Sequence, residues 1–246
     1  IFNDSTTFNF PYKQLQNNNS SLVKSASLEY SLNTNTLFKT SYYGGFRNPN
    51  IDDIGKVFSK NGNYVVIPNE KLEAEYSDNY EMTIKYFKGK IKTNLSLFYT
   101  NINNAIRREF STLNSKDSML YDGEMMKIQM NKNIESANIY GININAIYEY
   151  NKSLNLNANF NYLKGNTMEN QPLSHIPPTN GKLSINYTIK KQEFEFYAKY
   201  NAAKKSNEYD DGGVDNLDEA TINGTPMWYT LNLQYSNKLD NDMIIS

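Results

Sequence analysis

Residues capable of chemistry are few and scattered in this sequence. Cysteine is absent, which excludes disulfides, thiolate metal ligands and cysteine nucleophiles. His175 is the single histidine, so no metal site can be built from several imidazoles. No paired carboxylates, serine–histidine arrangement or phosphate-binding loop stands out. The sequence therefore predicts a protein that is not an enzyme, with no catalytic residue and no bound cofactor or metal.

The side chains best suited to contact a ligand are two cations and a group of methionines. Arg107 and Arg108 would attract an anionic ligand, because a guanidinium group matches planar anions. An ion pair at the rim of the fold is the favoured alternative. Met125 and Met126, with Met130 nearby, would form a soft contact surface for a ligand, and packing beneath their own loop is an equal alternative.

His175 and Trp228 are two further candidates for ligand contact. Imidazole is a common axial ligand of haem iron, but the position of His175 between Leu173 and the pair Pro177-Pro178 favours a loop-shaping role. Trp228 lies at the start of a predicted strand. It is interpreted first as an anchor at a membrane interface and second as a stacking partner for a ligand.

An acidic segment lies between residues 208 and 219, next to Gly212-Gly213. Oxygen ligands at this density can hold Ca²⁺, but their spacing matches no EF-hand loop. A solvated acidic loop is the favoured interpretation. Its carboxylates are Glu208, Asp210, Asp211, Asp215, Asp218 and Glu219.

The overall composition limits the classes of partner and of protein that fit this sequence. The 246 residues carry a net charge of -1, so no basic field suggests nucleic acid. No run approaches the roughly 20 apolar residues of a membrane-spanning helix, which excludes a helical membrane protein only. Asparagine is the commonest residue and tyrosine occurs 20 times. Tyrosine suits both strands and membrane interfaces, because one end of its ring is apolar and the other is wet.

Strict alternation is clearest from Ser153 to Leu163, where SLNLNANFNYL places Leu, Ala, Phe and Tyr on one face of a strand and mostly Asn on the other. In a soluble sheet the apolar face would cover a core. In an outer-membrane barrel the apolar face would meet lipid and the amides would line a wet interior.

The order of the connections favours the barrel. About ten alternating segments are predicted as strands, at 26–32, 38–42, 80–86, 93–99, 142–150, 154–162, 183–189, 194–200, 229–235 and 243–245. Short turns near Thr34, Gly89, Asn151, Lys191 and Leu239 alternate with long connections at about 44–77, 102–133, 165–181 and 201–226. Residues 1–21 are predicted as loop. Strand charges such as Glu81 and Lys182 fall on the non-apolar face, and long loops at one end with short turns at the other are typical of transmembrane barrels.

Two motifs in the first long connection resemble the TonB-dependent outer-membrane receptors. Gly45-Phe46-Arg47-Asn48-Pro49 matches the family's Gly-Phe-Arg-x-Pro element. Pro68-Asn69 with Leu72 and Glu75 matches its Pro-Asn-x-x-Leu-x-x-Glu element, which precedes a strand opening at Tyr80-Glu81. Residue 74 is Ala where the family commonly has Pro. Further stretches that fit the same barrel are Asn101 to Arg108, Tyr121 to Glu124, Ala137 to Ile142, Pro172 to Pro178 and Trp228 to Asn232.

The resemblance implies an all-β antiparallel meander that is an incomplete part of a 22-stranded transmembrane barrel. We therefore expect residues 1–246 to be a fragment, with the N-terminal plug and the final strands absent. The implied function is uptake of a scarce nutrient such as a ferric siderophore or haem across the outer membrane of a Gram-negative bacterium. The implied partners are membrane lipid, the ligand, and the TonB complex through the absent N-terminal part. The lack of a His between Pro49 and Pro68 counts against haem. A passive porin-like channel, and a surface adhesin or soluble β-sandwich, remain as alternatives.

Overall fold

The computed structural model describes residues 20–60, 63–210, 212, 214–215, 217–238 and 244–245. The predicted loop at 1–21 lies almost wholly outside these residues, as does the turn near Leu239. In chain order the strands are β1 Ser25–Asn33, β2 Thr36–Arg47, β3 Phe58–Lys60, β4 Tyr64–Ile67, β5 Glu75–Lys88, β6 Ile91–Phe110, β7 Ser118–Tyr121, β8 Glu124–Glu149, β9 Leu154–Thr167, β10 Asn180–Ile189, β11 Gln192–Asn201, β12 Lys204–Lys205, β13 Gly224–Thr225, β14 Trp228–Lys238 and β15 Ile244–Ile245. One α-helix, α1, spans Ile51–Ile54 and begins with a capping box at Asn50.

The main sheet of the described residues has 13 strands, ten of which follow one path in the order β1-β2-β5-β6-β8-β9-β10-β11-β14-β15. The short strands β3, β4 and β7 join it beside β8. Every neighbouring pair along this path is antiparallel. The predicted all-β meander of about ten strands is thereby confirmed. A two-sheet sandwich is wrong for this chain, because the second sheet in the described residues consists only of the short ladder β12–β13. No helix in the described part of the chain is long and apolar enough to cross a membrane.

The two faces of the sheet differ as the alternation predicts. Large apolar side chains stay exposed on one face, for example Leu231 and Leu233 on β14 at 64% and 72%. Four tyrosines lie opposite one another across β2, β5, β6 and β8, namely Tyr42, Tyr80, Tyr99 and Tyr140. The rings of Tyr42 and Tyr80 are 5.3 Å apart, centroid to centroid. A row of this kind is typical of the aromatic girdle that flanks the lipid-facing band of a barrel.

Two ion pairs form on the opposite, polar face of the sheet. Lys92 Nζ is 2.5 Å from Glu149 Oε1, and Lys182 Nζ is 2.6 Å from Glu195 Oε1. The predicted placement of charge on the non-apolar face is confirmed for these four residues.

Short turns and long connections alternate as predicted, so the long connections share one end of the sheet, here called the loop end. The predicted boundaries of the second connection were wrong. Strand β6 continues to Phe110 and β8 begins at Glu124, with β7 paired to β8 through a two-residue turn at Asp122-Gly123. Both turn residues have positive φ, 51° and 83°, as a type I′ hairpin requires. Above the apolar band neither face needs to be apolar, so the alternation stops while the backbone ladder continues.

A small hydrophobic core lies at the loop end. Strand β4 runs parallel to β8, with Val65 opposite Ile128 and Ile67 opposite Met130. Val65, Ile67, Met126 and Ile128 are each at most 3% exposed and pack together. The first long connection is therefore folded against the β6–β8 extension.

Candidate functional site

Arg107 joins three segments of the loop end. Its Nε and Nη2 both donate to Asp210 Oδ1, at 3.0 and 2.8 Å, and its Nη1 donates to Gln171 Oε1. Arg107 is 8% exposed and Asp210 is 2% exposed. The favoured alternative for Arg107, an ion pair at the rim, is confirmed. The pair connects β6 to the β9–β10 connection (residues 168–179) and to the β11–β14 connection (residues 202–227).

Arg108 does not share this contact. Adjacent residues of a strand point to opposite faces, and the Arg108 guanidinium lies over the Phe58 ring at 5.0 Å. Burial lowers the pKa of Arg108, while the charges of Tyr64 and Asp210 act in the opposite direction. Because the two side chains diverge, the structure does not bring Arg107 and Arg108 together as one anion site.

A second ionic junction lies between the same two connections and is centred on Asp215. Lys204 Nζ lies 2.8 Å from Asp215 Oδ2 and 3.0 Å from the Ile176 carbonyl oxygen. The backbone N–H of His175 donates to Asp215 Oδ1 at 2.7 Å. Burial would raise the pKa of the Asp215 carboxyl, but these hydrogen bonds and the neighbouring charges hold it below its usual value.

His175 shapes its loop through the backbone. Its φ is 61°, and its N–H binds Asp215 while its side chain is 76% exposed. The ring Nδ1 lies 3.5 Å from Asp215 Oδ1. The described residues contain no group of three or more His, Asp or Glu that could hold a metal ion.

The acidic segment is not simply solvated, and that expectation was wrong for two of its members. Asp210 and Asp215 are buried because the β11–β14 connection folds back onto cationic partners from β6 and β12. Asp211 lies outside the described residues. Two carboxylates already bound to cations leave fewer oxygens for the Ca²⁺ site that the sequence left open.

The methionines and Trp228 divide between core and surface. Met126 is 3% exposed within the core, whereas Met125 is 67% exposed beside the hairpin turn.

Trp228 pairs with Asn201 on the polar face of β14 and β11 and is 45% exposed. The register thus places the Trp228 side chain on the side of the sheet opposite Tyr229 and Leu231, and the interface-anchor interpretation stays a prediction.

A cavity of about 500 Å³ lies beside these junctions. It is enclosed by the end of β9, the loop Pro172–Pro178 and residues 202–208. Its cations are Lys164, Lys204 and Lys205. Gly165 lets the loop approach β9, because a Cβ there would lie 2.7 Å from Ile176 Cδ1. The lining of the cavity combines these three lysines with one carboxylate, Glu208, and apolar side chains such as Leu173 and Ile176.

Comparison with known proteins decides the family. Residues 2–243 match the family described as TonB dependent receptor-like, beta-barrel. The chain belongs to this family. Comparison with curated protein sequences gives no match.

Solved structures of similar fold include several receptors of this type. The siderophore receptor PirA from Acinetobacter baumannii is 17% identical with a TM-score of 0.67, and the alignment covers 89% of this chain and 35% of PirA. The ferric enterobactin receptor PfeA from Pseudomonas aeruginosa, bound to enterobactin, is 18% identical with a TM-score of 0.69, covering 89% and 33%. The copper transporter OprC is 14% identical with a TM-score of 0.67, covering 87% and 31%. The chain thus spans about a third of the length of these structures.

The two TonB-dependent receptor motifs named above contact each other in the fold. Arg47 of the Gly-Phe-Arg-x-Pro element donates through Nε to Glu75 of the second element, which lies directly opposite it across β2 and β5. Arg47 Nη1 also lies 2.7 Å from Asp53 Oδ2 in α1. The sequence analysis missed this contact, although the arginine and glutamate that it joins are both motif residues.

Proposed function

We propose that the protein is an outer-membrane receptor that imports a ferric siderophore or a comparable scarce nutrient, energised through TonB. In this proposal the loop end faces the cell exterior of a Gram-negative bacterium and captures the ligand. The chain supplies part of the barrel of a longer protein and has no enzymatic role. The proposal is supported by the similar solved structures, which are described as a siderophore receptor, a ferric enterobactin receptor and a copper transporter.

One observation carries the proposal beyond family membership. The loop end is an ordered surface. The ion pairs Arg107–Asp210 and Lys204–Asp215 hold the β9–β10 and β11–β14 connections together there, beside the cavity. A ligand would meet ordered connections there, and Lys164 and Lys205 would favour an anionic metal chelate. The candidate ligand contacts remain Arg107, Arg108, Met125, Met126, His175 and Trp228; of these, Met125 and the His175 ring are the most exposed.

Growth of a deletion strain tests the function. The strain receives the full-length gene and one metal source at a time: ferric enterobactin, ferric citrate, haem, or trace copper. Growth on one source that requires both the gene and TonB would support the proposal. Equal growth with and without the gene on all four sources would contradict it.

A passive porin-like channel is the second candidate, since an open polar interior would also permit diffusion. It predicts uptake that persists without TonB and rises linearly with substrate concentration. Loss of TonB dependence in the growth test, together with non-saturable uptake, would favour the channel.

A further inference from the structure

Asparagine side chains on the polar face of β8, β9 and β10 bond to one another across the strands. Asn157 Nδ2 lies 3.1 Å from Asn155 Oδ1, 3.1 Å from Asn186 Oδ1 and 3.3 Å from Ser184 Oγ. Ser184, directly opposite Asn157 in the register, donates in turn to Asn186 Oδ1 at 3.1 Å. These contacts link β9 to β10 through side chains as well as backbone.

A second group of amides next to it includes side chains of β8. Asn161 Nδ2 donates to Asn159 Oδ1 at 2.6 Å and to Asn180 Oδ1 at 3.0 Å. Asn159 Nδ2 donates to Asn145 Oδ1 at 2.8 Å, and Asn143 donates to Asn161. The amides therefore form two hydrogen-bonded groups that lie side by side over three strands. We call the two groups together the amide lattice: Asn155, Asn157, Ser184 and Asn186 in one, and Asn143, Asn145, Asn159, Asn161 and Asn180 in the other.

The amide lattice carries no net charge. Two ion pairs lie within or beside it. Lys182, which is on β10 opposite Asn159, pairs with Glu195, and Lys92 pairs with Glu149.

The amide lattice should bind a polar solute only weakly. A primary amide offers two N–H donors and an oxygen with two lone pairs, and the lattice already occupies part of this capacity. The remaining donors and acceptors can exchange water for solute at little net gain, since each new hydrogen bond replaces one to water. Passage through a pore requires contacts favourable enough for entry and weak enough for release.

We propose that the amide lattice lines the route by which the imported metal chelate crosses the barrel interior, and that it acts as a low-affinity path for a hydrated polar solute. This inference rests on the proposed function. It assigns the route to one side of the barrel wall, β8 to β10, and gives the asparagines a role in passage that is separate from ligand capture at the loop end.

Thiol modification of the full-length receptor tests the route. Asn157→Cys and Asn145→Cys introduce single thiols into the lattice, and these 246 residues contain no other cysteine. Ser41→Cys is the matched control, because Ser41 faces the same polar side on β2, with β5 and β6 between it and β8. Each variant is reacted with a bulky hydrophilic maleimide, and modification is quantified by mass spectrometry. Uptake is then measured with a radiolabelled compound. The compound is the one of ferric enterobactin, ferric citrate and haem that supports gene-dependent growth.

The route predicts that modification at position 157 or 145 lowers the initial uptake rate at least fivefold, while binding of the chelate to de-energised cells stays within twofold. Modification at position 41 should leave uptake within twofold. Full uptake after modification at 157 and 145, equal block at all three positions, or lattice thiols that stay unmodified would each overturn the route. Absence of gene-dependent uptake in the unsubstituted receptor would overturn the proposed function instead. Heat-modifiable migration in detergent verifies that each variant forms a barrel.

Discussion

Arg107 and Asp210 are 103 residues apart in the chain, yet the Arg107 Nη2 to Asp210 Oδ1 distance is 2.8 Å and both side chains are buried. The pair fixes the β11–β14 connection over β6, across the three intervening strands β8, β9 and β10. Together with the Asp215 junction, it holds this connection against β6 and the β9–β10 connection. The loop end is therefore joined by buried ion pairs in addition to its small hydrophobic core.

Asp210→Asn should release the β11–β14 connection. Removing one partner of a buried ion pair typically costs about 3–5 kcal/mol, because the other charge stays buried without compensation. A cost of about 3 kcal/mol corresponds to roughly a hundredfold faster hydrogen exchange, at tenfold for each 1.4 kcal/mol. Exchange in residues 202–210, followed by mass spectrometry in detergent, measures the effect. Asp117→Asn changes an exposed carboxylate of the same loop end and should leave exchange unaltered; equal effects of both substitutions would contradict the assignment.

The Asp215 junction should persist through mildly acidic pH. The pKa of this carboxyl is depressed in the folded protein, so its stabilising contribution is fully present above its unfolded pKa of about 3.9 and is lost as pH falls through the lower folded pKa. Protection of the His175 amide, corrected for intrinsic exchange, should therefore be constant from pH 7 to about pH 4.5 and should fall only in stronger acid. Lys204→Met removes the hydrogen bond and charge that help to depress the pKa, so loss of protection should begin at higher pH. An unchanged profile in this variant would contradict the role of Lys204.

The barrel strands could be predicted from sequence because their two faces meet different solvents. Residues such as Leu156 and Asn157 alternate under that constraint, and the predicted division of the strand side chains between two faces is confirmed. At the loop end no such constraint operates, so the extension of β6 to Phe110 and the parallel pairing of β4 with β8 left no periodic signal. Contacts between residues far apart in the chain could not be predicted either, because nothing in the sequence near Asp210 indicates that Arg107 is its partner. Only Arg47 and Glu75 carried a usable signal, because each belongs to a motif.

Met126 and Met125 should differ sharply although they are neighbours in sequence. Met126 packs in the core with Ile128 and Val65, so Met126→Ala should cost about 2–5 kcal/mol of local stability through lost burial and a residual cavity. Met125 is largely exposed, and Met125→Ala should stay within about 0.5 kcal/mol. Hydrogen exchange of the β7–β8 hairpin reports both changes. Similar exchange rates in the two variants would show that the hairpin does not depend on this core.

Gly165 and Ile176 provide a steric test of how the Pro172–Pro178 loop seats on β9. A Cβ at residue 165 would lie 2.7 Å from Ile176 Cδ1 and 3.2 Å from Leu173 Cδ1, so Gly165→Ala should displace the loop at a cost of about 1 kcal/mol or more. Ile176→Val removes the Cδ1 atom that makes the closest contact. The contacts with Ile176 Cγ1 at 3.0 Å and Leu173 Cδ1 at 3.2 Å remain. The double variant should therefore recover part of the protection of the Leu173 amide, whose N–H donates to the Gly165 carbonyl at 3.1 Å. Gly141→Ala provides the contrast, because its Cβ would meet the backbone oxygen of Tyr162, which cannot be trimmed. Unchanged protection of the Leu173 amide in Gly165→Ala would show that the loop is held away from β9 in solution. Lost protection that Ile176→Val does not restore would show that the loss does not come from the contact with Ile176.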